Sequence, residues 1–174
     1  MHLLSILLML NHIEISISEQ RLKAYSSASD ICLSKAAINV AIASAKNGIG
    51  QQFGSECTPL GEHRIRAKIG KSMPTNTVFI GRRPTGEIYS PELDKQYPKR
   101  DWILTRILWL CGNELGYNRG GSVDTQRRFI YIHGAPDSHA MGTPSSHGCI
   151  KMRNSDIITL FEHIALGATV RIRA

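Results

Sequence analysis

Apolar and polar positions alternate with a period of two through much of this chain, which predicts strands buried on one face. Ile13, Ile15 and Ile17 are interleaved with Glu14, Ser16 and Ser18, and Leu22 and Tyr25 follow a polar turn at 18–21. Residues 31–43 are rich in Val, Ile and Ala and read as another strand, with helix left open by the alanines. Residues 46–58 hold three glycines and read as a loop. Alternation resumes at His63, Ile65, Ala67 and Ile69, and a short strand is expected at 77–80 between Pro74 and Gly81. Residues 81–101, with three prolines and many charges, read as a long loop or lid. The largely apolar run 103–110 suits a buried strand or a helix turn, 112–121 is a glycine-rich loop, and 128–133 (RFIYIH) is a strand. One helix stands out at 154–166, where Ile157, Phe161 and Ile164 fall at i, i+4 and i+7. Asn154 or Ser155 would cap it, Asp156 suits its positive end and Gly167 its stop. A last strand is expected at 169–173. The sum is a mainly β fold without repeat or linker.

At 174 residues the chain has room for one domain and can bury roughly 70% of its unfolded surface, so a core needs neither disulfide nor metal. Four cysteines, at 32, 57, 111 and 149, are too few for a disulfide scaffold. Lys and Arg number 21 against 14 Asp and Glu, a formal +7. The excess is spread evenly over both halves, with no basic tail. It allows any acidic polymer as partner, but no nucleic-acid-reading motif accompanies it, and nucleic acid is not expected. Residues 1–11 open with MHLLSILLML, an apolar leader. It lacks the basic start and small-residue cleavage site of a secretory signal and is too short to span a bilayer. Residues 12–174 are expected to form the single domain.

The chemistry concentrates in IHGAPDSHAMGTPSSHGCIKM, residues 132–152. His133 ends a strand, and Ser146, His147, Gly148 and Cys149 follow a loop of small and polar residues. A thiol beside imidazoles is poised for nucleophilic attack, because the imidazole takes the thiol proton. Glycine at 148 permits a tight turn whose backbone N–H groups converge, as an oxyanion hole requires. Two plainer readings stand beside this one. Cys32 and Cys111 lie in apolar runs and are expected as small buried hydrophobes, and Cys57 as an exposed or half-exposed thiol. His133, His139, His147 and Cys149 are also permitted zinc ligands, although their spacing is not a standard one and no metal or cofactor is expected.

The IHG and SHGCIKM elements, with Asn154 and Asp156 beyond them, resemble the signature of the YkuD-type L,D-transpeptidase catalytic domain. SEQRL at 18–22 resembles that family's first hairpin, and TPLGEHRI at 58–65 its threonine-proline-x-glycine stretch. The resemblance runs from about His12 to Ile172. Lys151 departs from it, standing where the family most often has Arg, which keeps the charge and loses the bidentate fork.

The resemblance implies a β-sandwich-like catalytic domain with a short helix in its C-terminal half. It makes Cys149 the nucleophile and His133 its base, oriented by the Gly134 carbonyl or a nearby hydroxyl. His147 would line the site, with Ser146 and Gly148 shaping the turn. Tyr131, Gly142, Lys151 and Arg128 would be substrate contacts, and His139 matches nothing in the pattern. A groove roofed by 81–101 and 112–127 would offer Arg82, Arg83, Lys99, Arg100, Arg119, Arg127 and Arg128 to substrate carboxylates. The implied reaction is acyl transfer through a thioester on peptidoglycan stem peptides, with carbapenem-type inhibitors as further ligands and the periplasm or cell envelope as location. Hydrolysis of the same thioester by a carboxypeptidase or amidase, non-catalytic peptidoglycan binding and a zinc domain are the alternatives.

Overall fold

The period-two segments become strands in a computed structural model, which describes residues 9–174; most of the apolar leader therefore lies outside the described residues. The strands are β1 (Leu10–Ser16), β2 (Arg21–Tyr25), β3 (Ile38–Ala41), β4 (Gly61–Ile69), β5 (Thr77–Ile80), β6 (Arg83–Ile88), β7 (Ile103–Gly112), β8 (Tyr131–Ala135), β9 (Ile150–Arg153) and β10 (Ile164–Arg173). They form one sheet in the order β3-β2-β1-β10-β4-β7-β5-β6, with β8 paired to β7 and β9 to β8. The β1–β10 and β8–β9 pairs are parallel and the others antiparallel. Single bridges from Ala43 to Lys151 and from Ala45 to Ser146 carry the chain after β3 onto β9 and fold the sheet over on itself, giving the expected sandwich-like architecture.

Ile13 and Ile15 of β1 meet Val170 and Ile172 of β10 inside, while Arg171 and Arg173 point outward. The main core adds Leu22, Ile65, Leu108, Leu110, Ile132 and Ile150 and is closed by Ile157, Leu160 and Phe161 of the helix α3 (Asn154–His163). β7 reads as a near-continuous apolar run because both its faces are covered. Leu108 and Leu110 enter the main core, and Ile107 and Trp109 pack with Phe79, Tyr131 and Cys149 on the other side. A register shift between Leu104 and Ile107 lets β7 bulge where Thr105 takes φ 71°.

Several expectations are corrected. The 31–43 stretch holds no single strand: Ser27 caps a one-turn helix, α1 (Ala28–Cys32), and β3 follows. α1 buries nothing, so Cys32 is exposed rather than buried, whereas Cys111 is buried. Segment 81–101 is structured. It contains the edge strand β6 and the helix α2 (Pro91–Gln96), which starts on a Ser90 cap and a first-turn proline. Arg100 pairs with Glu87 at 2.6 Å, and Trp102 Nε1 donates to Asp94 at 2.6 Å, fastening this segment to β7. β8 starts at Tyr131, because residues 125–129 form turns. Asn154 does not cap α3. Its side chain turns inward, accepting from Thr105 Oγ1 and donating to Asn76 Oδ1 at 2.9 Å, and Arg153 takes the cap position without a side-chain bond. Gly167 does not stop the helix either; it lies within β10 at φ 82°. Among the described residues no helix is long and apolar enough to cross a membrane.

One buried imidazole ties the fold to pH. His63 on β4 is enclosed, donating from Nδ1 to the Gly61 carbonyl at 3.0 Å and accepting at Nε2 from Thr125 Oγ1 at 3.1 Å. Burial lowers its pKa from 6.5 to about 4. Between those values the unfolded chain binds a proton that the folded one refuses, so stability falls as pH drops through 6.5. The expected loss from this group is about 2–3 kcal/mol by pH 4.5. Denaturant unfolding at pH 7 and pH 4.5 should show a smaller loss in His63→Gln than in the wild type by that amount.

Candidate active site

β8 and β9 run parallel with Ile132 opposite Ile150 and His133 opposite Lys151. That register sets Cys149 level with Tyr131. Tyr131 and His133, two residues apart, point to the same side of β8. The Tyr131 amide donates to Cys149 Sγ at 3.3 Å, and the thiol itself points at the Phe129 carbonyl, 3.4 Å away. Both Cys149 and His133 line a cleft of about 510 Å³ together with Gly81, Arg82, Asp101, Ile103, Arg128, Phe129, Ile130, Tyr131, Ser146 and His147.

The turn that presents Cys149 is held from several sides. Ser146 Oγ accepts from the Gly148 amide at 3.2 Å and donates to the Cys149 carbonyl at 2.5 Å. Thr58, fully buried, donates to the Gly148 carbonyl at 3.0 Å and accepts from the Ala45 amide at 3.0 Å. Gly148 has φ 130°, and a Cβ there would stand 3.0 Å from Ile130 Cδ1, so only glycine fits without displacement. With the Gly148 amide bound to Ser146, the His147 and Cys149 amides are the ones in this turn with no acceptor among the described residues.

His133 is buried and donates from Nδ1 to the Gly134 carbonyl at 2.7 Å. That bond puts the proton on Nδ1 and leaves Nε2 as the acceptor. A Cβ on Gly134 would lie 2.5 Å from Asn154 Oδ1 and 2.7 Å from the Leu104 carbonyl, so the position is closed to any residue with a side chain. Burial lowers the His133 pKa, and the Asp101 charge and the Gly134 carbonyl offset this in part. Burial pushes the Cys149 thiol up to about 12 despite the Tyr131 amide, and Asp101 adds to the rise. The resting site thus holds a neutral thiol and a neutral imidazole.

The other expected residues divide. His147 lines the cleft, its exposed ring 3.9 Å from Asp101. Tyr131 and Arg128 line it too, but the Arg128 guanidinium is committed to the 46–58 loop, donating to the Gly50, Gln51 and Cys57 carbonyls and to Ser55 Oγ. It braces that loop and has little left to offer a substrate. Lys151 is buried behind the turn, with Nζ on the Ser145 carbonyl at 3.2 Å, and shares a separate recess with His139. The Gly142 amide binds the Ile42 carbonyl, also away from the cleft. Among the described residues no cluster of three His, Cys, Asp or Glu could hold a metal ion. The 112–127 segment does not line the cleft. Instead a second recess of about 200 Å³, sharing Arg128, Phe129, Ile130 and His147 with the first, is bounded by Phe53, Gly54 and Glu56. Asp101 and the brace from Thr58 are additions that sequence reasoning missed. Thr58 carried a signal in its Thr-Pro-x-Gly stretch, whereas Asp101 carried none.

The family model described as L,D-transpeptidase catalytic domain, YkuD, matches residues 10–172. A 45-residue stretch is 42% identical to the probable L,D-transpeptidase ErfK/SrfK of Salmonella typhimurium, covering 26% of this chain and 15% of that protein. The fold is similar to an L,D-transpeptidase from Mycobacterium smegmatis, with TM-score 0.53 and 15% identity over 95% of this chain and 59% of the other. It is also similar to L,D-transpeptidase 3 from Mycobacterium tuberculosis in complex with a faropenem-derived adduct, with TM-score 0.52 and 14% identity over 94% and 60%. The chain thus spans about 15% of that curated relative and 59–60% of these two structures. From the family match over residues 10–172, set on this fold, the chain belongs to the family of YkuD L,D-transpeptidase catalytic domains.

Proposed function

We propose that this domain is a cysteine acyltransferase, an L,D-transpeptidase acting on peptidoglycan stem peptides in the periplasm or cell envelope. The observation that carries the reading is the placement of Cys149 and His133 in one cleft, with the His133 proton fixed on Nδ1 by the Gly134 carbonyl. On binding, the Cys149 thiol leaves the Phe129 carbonyl and gives its proton to His133 Nε2 as Sγ attacks the scissile carbonyl. The free amides of His147 and Cys149 are the donors for the developing oxyanion, and the Tyr131 amide supports the sulfur. Collapse forms the thioester, breaks the C–N bond and returns the proton to the departing D-amino acid. An amine of a second stem then attacks the thioester, losing a proton to His133 and restoring the thiol. The second recess beside His147 gives such an acceptor a place of its own, which favours transfer over hydrolysis.

Incubation with a tetrapeptide muropeptide or a carbapenem should give a covalent mass adduct on Cys149 that is absent in Cys149→Ala. An adduct elsewhere, or none, sinks the reading. The neutral resting pair has its own signature. Acylation by substrate should have one acid limb below pH 6.5, set by the lowered His133 pKa, and then stay level through pH 9. Alkylation by iodoacetamide, which needs the thiolate, should be slow at neutral pH and still rising at pH 10, given a thiol near 12. Rapid alkylation at pH 6 would reveal a preformed ion pair and contradict this mechanism. Thr58→Val removes the brace on the Gly148 carbonyl; it should lower acylation by roughly tenfold or more through misplacement of Cys149, and stability by about 1–3 kcal/mol.

A further inference from the structure

Arg82 sits where an arginine is poorly suited by backbone alone. Gly81 and Arg82 are the two residues between β5 and β6, with φ 54° and 66°, the pattern of a type I′ hairpin turn that favours Asn and Gly. A side chain at positive φ persists where its surroundings over-determine it. Here they do. The Arg82 guanidinium lies over the Trp109 ring at 4.5 Å and the Phe129 ring at 4.9 Å, and Nη1 donates to the Tyr131 hydroxyl at 3.0 Å. Trp109 and Tyr131 meet edge to face, so the cation is seated in an aromatic box. The box stands on the cleft: Arg82, Phe129 and Tyr131 all line it.

The guanidinium is held but not neutralised. Among the described residues no carboxylate lies within ion-pair distance of it, and the Tyr131 hydroxyl is its one hydrogen-bond acceptor. Asp101, the carboxylate that lines the cleft, faces His147 instead. A preorganised guanidinium with spare N–H donors matches a carboxylate in a bidentate fork. Its distance from the sulfur is fixed by one residue: Tyr131 contacts Cys149 Sγ through its amide and Arg82 through its hydroxyl. From amide to hydroxyl a tyrosine spans roughly two residues of extended chain, so the two groups can engage neighbouring parts of one bound peptide.

We infer that Arg82 is the specificity residue of the cleft, binding a free carboxylate of the donor stem close to the scissile bond. This rests on the transpeptidase reading. The carboxylate is either the terminal one of the leaving D-amino acid or a side-chain one on the acyl residue, and both present the same chemistry. Three donor peptides separate them: one with both carboxylates free, one amidated at the terminus and one amidated at the side chain. Steady-state turnover is measured for the wild type, Arg82→Met and Arg82→Lys, with iodoacetamide labelling of Cys149 to check that the cleft is intact. On the free peptide, Arg82→Met should raise KM roughly 10–100-fold with a smaller change in kcat, and Arg82→Lys should recover part of the loss. Amidation of the recognised carboxylate should weaken the wild type similarly and remove the difference between wild type and Arg82→Met. Equal losses in Arg82→Met on all three peptides, or no loss on any, would overturn the inference and leave the transpeptidase reading standing. Absence of turnover by the wild type on every peptide would overturn both.

Discussion

The parallel pairing of β8 with β9 is the constraint on which the site depends. Sliding β9 by one residue against β8 would turn Cys149 away from the Tyr131 amide and place it on the opposite face from His133, because side chains alternate with a period of two. The register is set outside the cleft. Ile132 and Ile150 face each other inside the main core, where neither can move toward water without losing its burial. The bridge between Ala43 and Lys151 holds β9 from its other edge. The bulge at Thr105 does the same for β8, since Gly134 packs against Leu104 and Thr105 too closely to admit even a methyl group. The functional geometry is thus inherited from ordinary core packing, and the cleft residues themselves need contribute little to it.

Packing of this kind also explains what the sequence showed and what it concealed. Strands with one buried face, such as β1 and β4, announce themselves by alternation. The candidate site around Cys149 was legible because the proposed chemistry needs a rare combination, a glycine-enabled turn next to a thiol and an imidazole, in a few consecutive residues. Segment 81–101 was not legible as structure. β6 is an exposed edge strand whose residues carry no apolar alternation, and it exists because β5 offers it hydrogen bonds. Arg82 and Asp101 reach the cleft through that segment, so their part in it depends on a pairing that local pattern does not encode. Asn154 misled for a related reason. Its type and position fit a helix cap, but a buried partner, Thr105, lies 49 residues earlier and claims the side chain. Cys32 misled because apolar neighbours in sequence need not be buried ones; Ile31 and Leu33 sit on a single turn of helix at the surface.

Burial has opposite effects on the pair at the centre. Enclosure fixes the His133 ring and its tautomer, which a base requires, yet it also disfavours charge on the imidazole and on the thiol. Asp101 has a divided influence: its charge favours an imidazolium at 133 and opposes a thiolate at 149. A site built this way gains nothing from ionising in advance. On the proposed mechanism, charge separation becomes favourable only when an acyl group is present to take the sulfur's electrons and when amide donors meet the oxyanion. On the proposed reading this protects the thiol from adventitious electrophiles, since a half-buried neutral thiol is a poor nucleophile toward reagents that do not engage the amides of the turn.

The overall charge of the chain is a weak guide beside these local arrangements. A formal +7 spread over both halves raises the potential around the molecule and speeds the approach of an acidic polymer, but it cannot select a bond. Individual arginines in and around the cleft are not interchangeable. Arg100 is neutralised by Glu87, and Arg128 is saturated by three carbonyls and a hydroxyl. Both are basic by count and structural by contact. Arg82 differs in being immobilised by aromatic faces and a phenol, groups that fix a guanidinium without quenching its charge. Selectivity for an anion requires that combination of fixed position and unspent charge, which Arg100 and Arg128 lack.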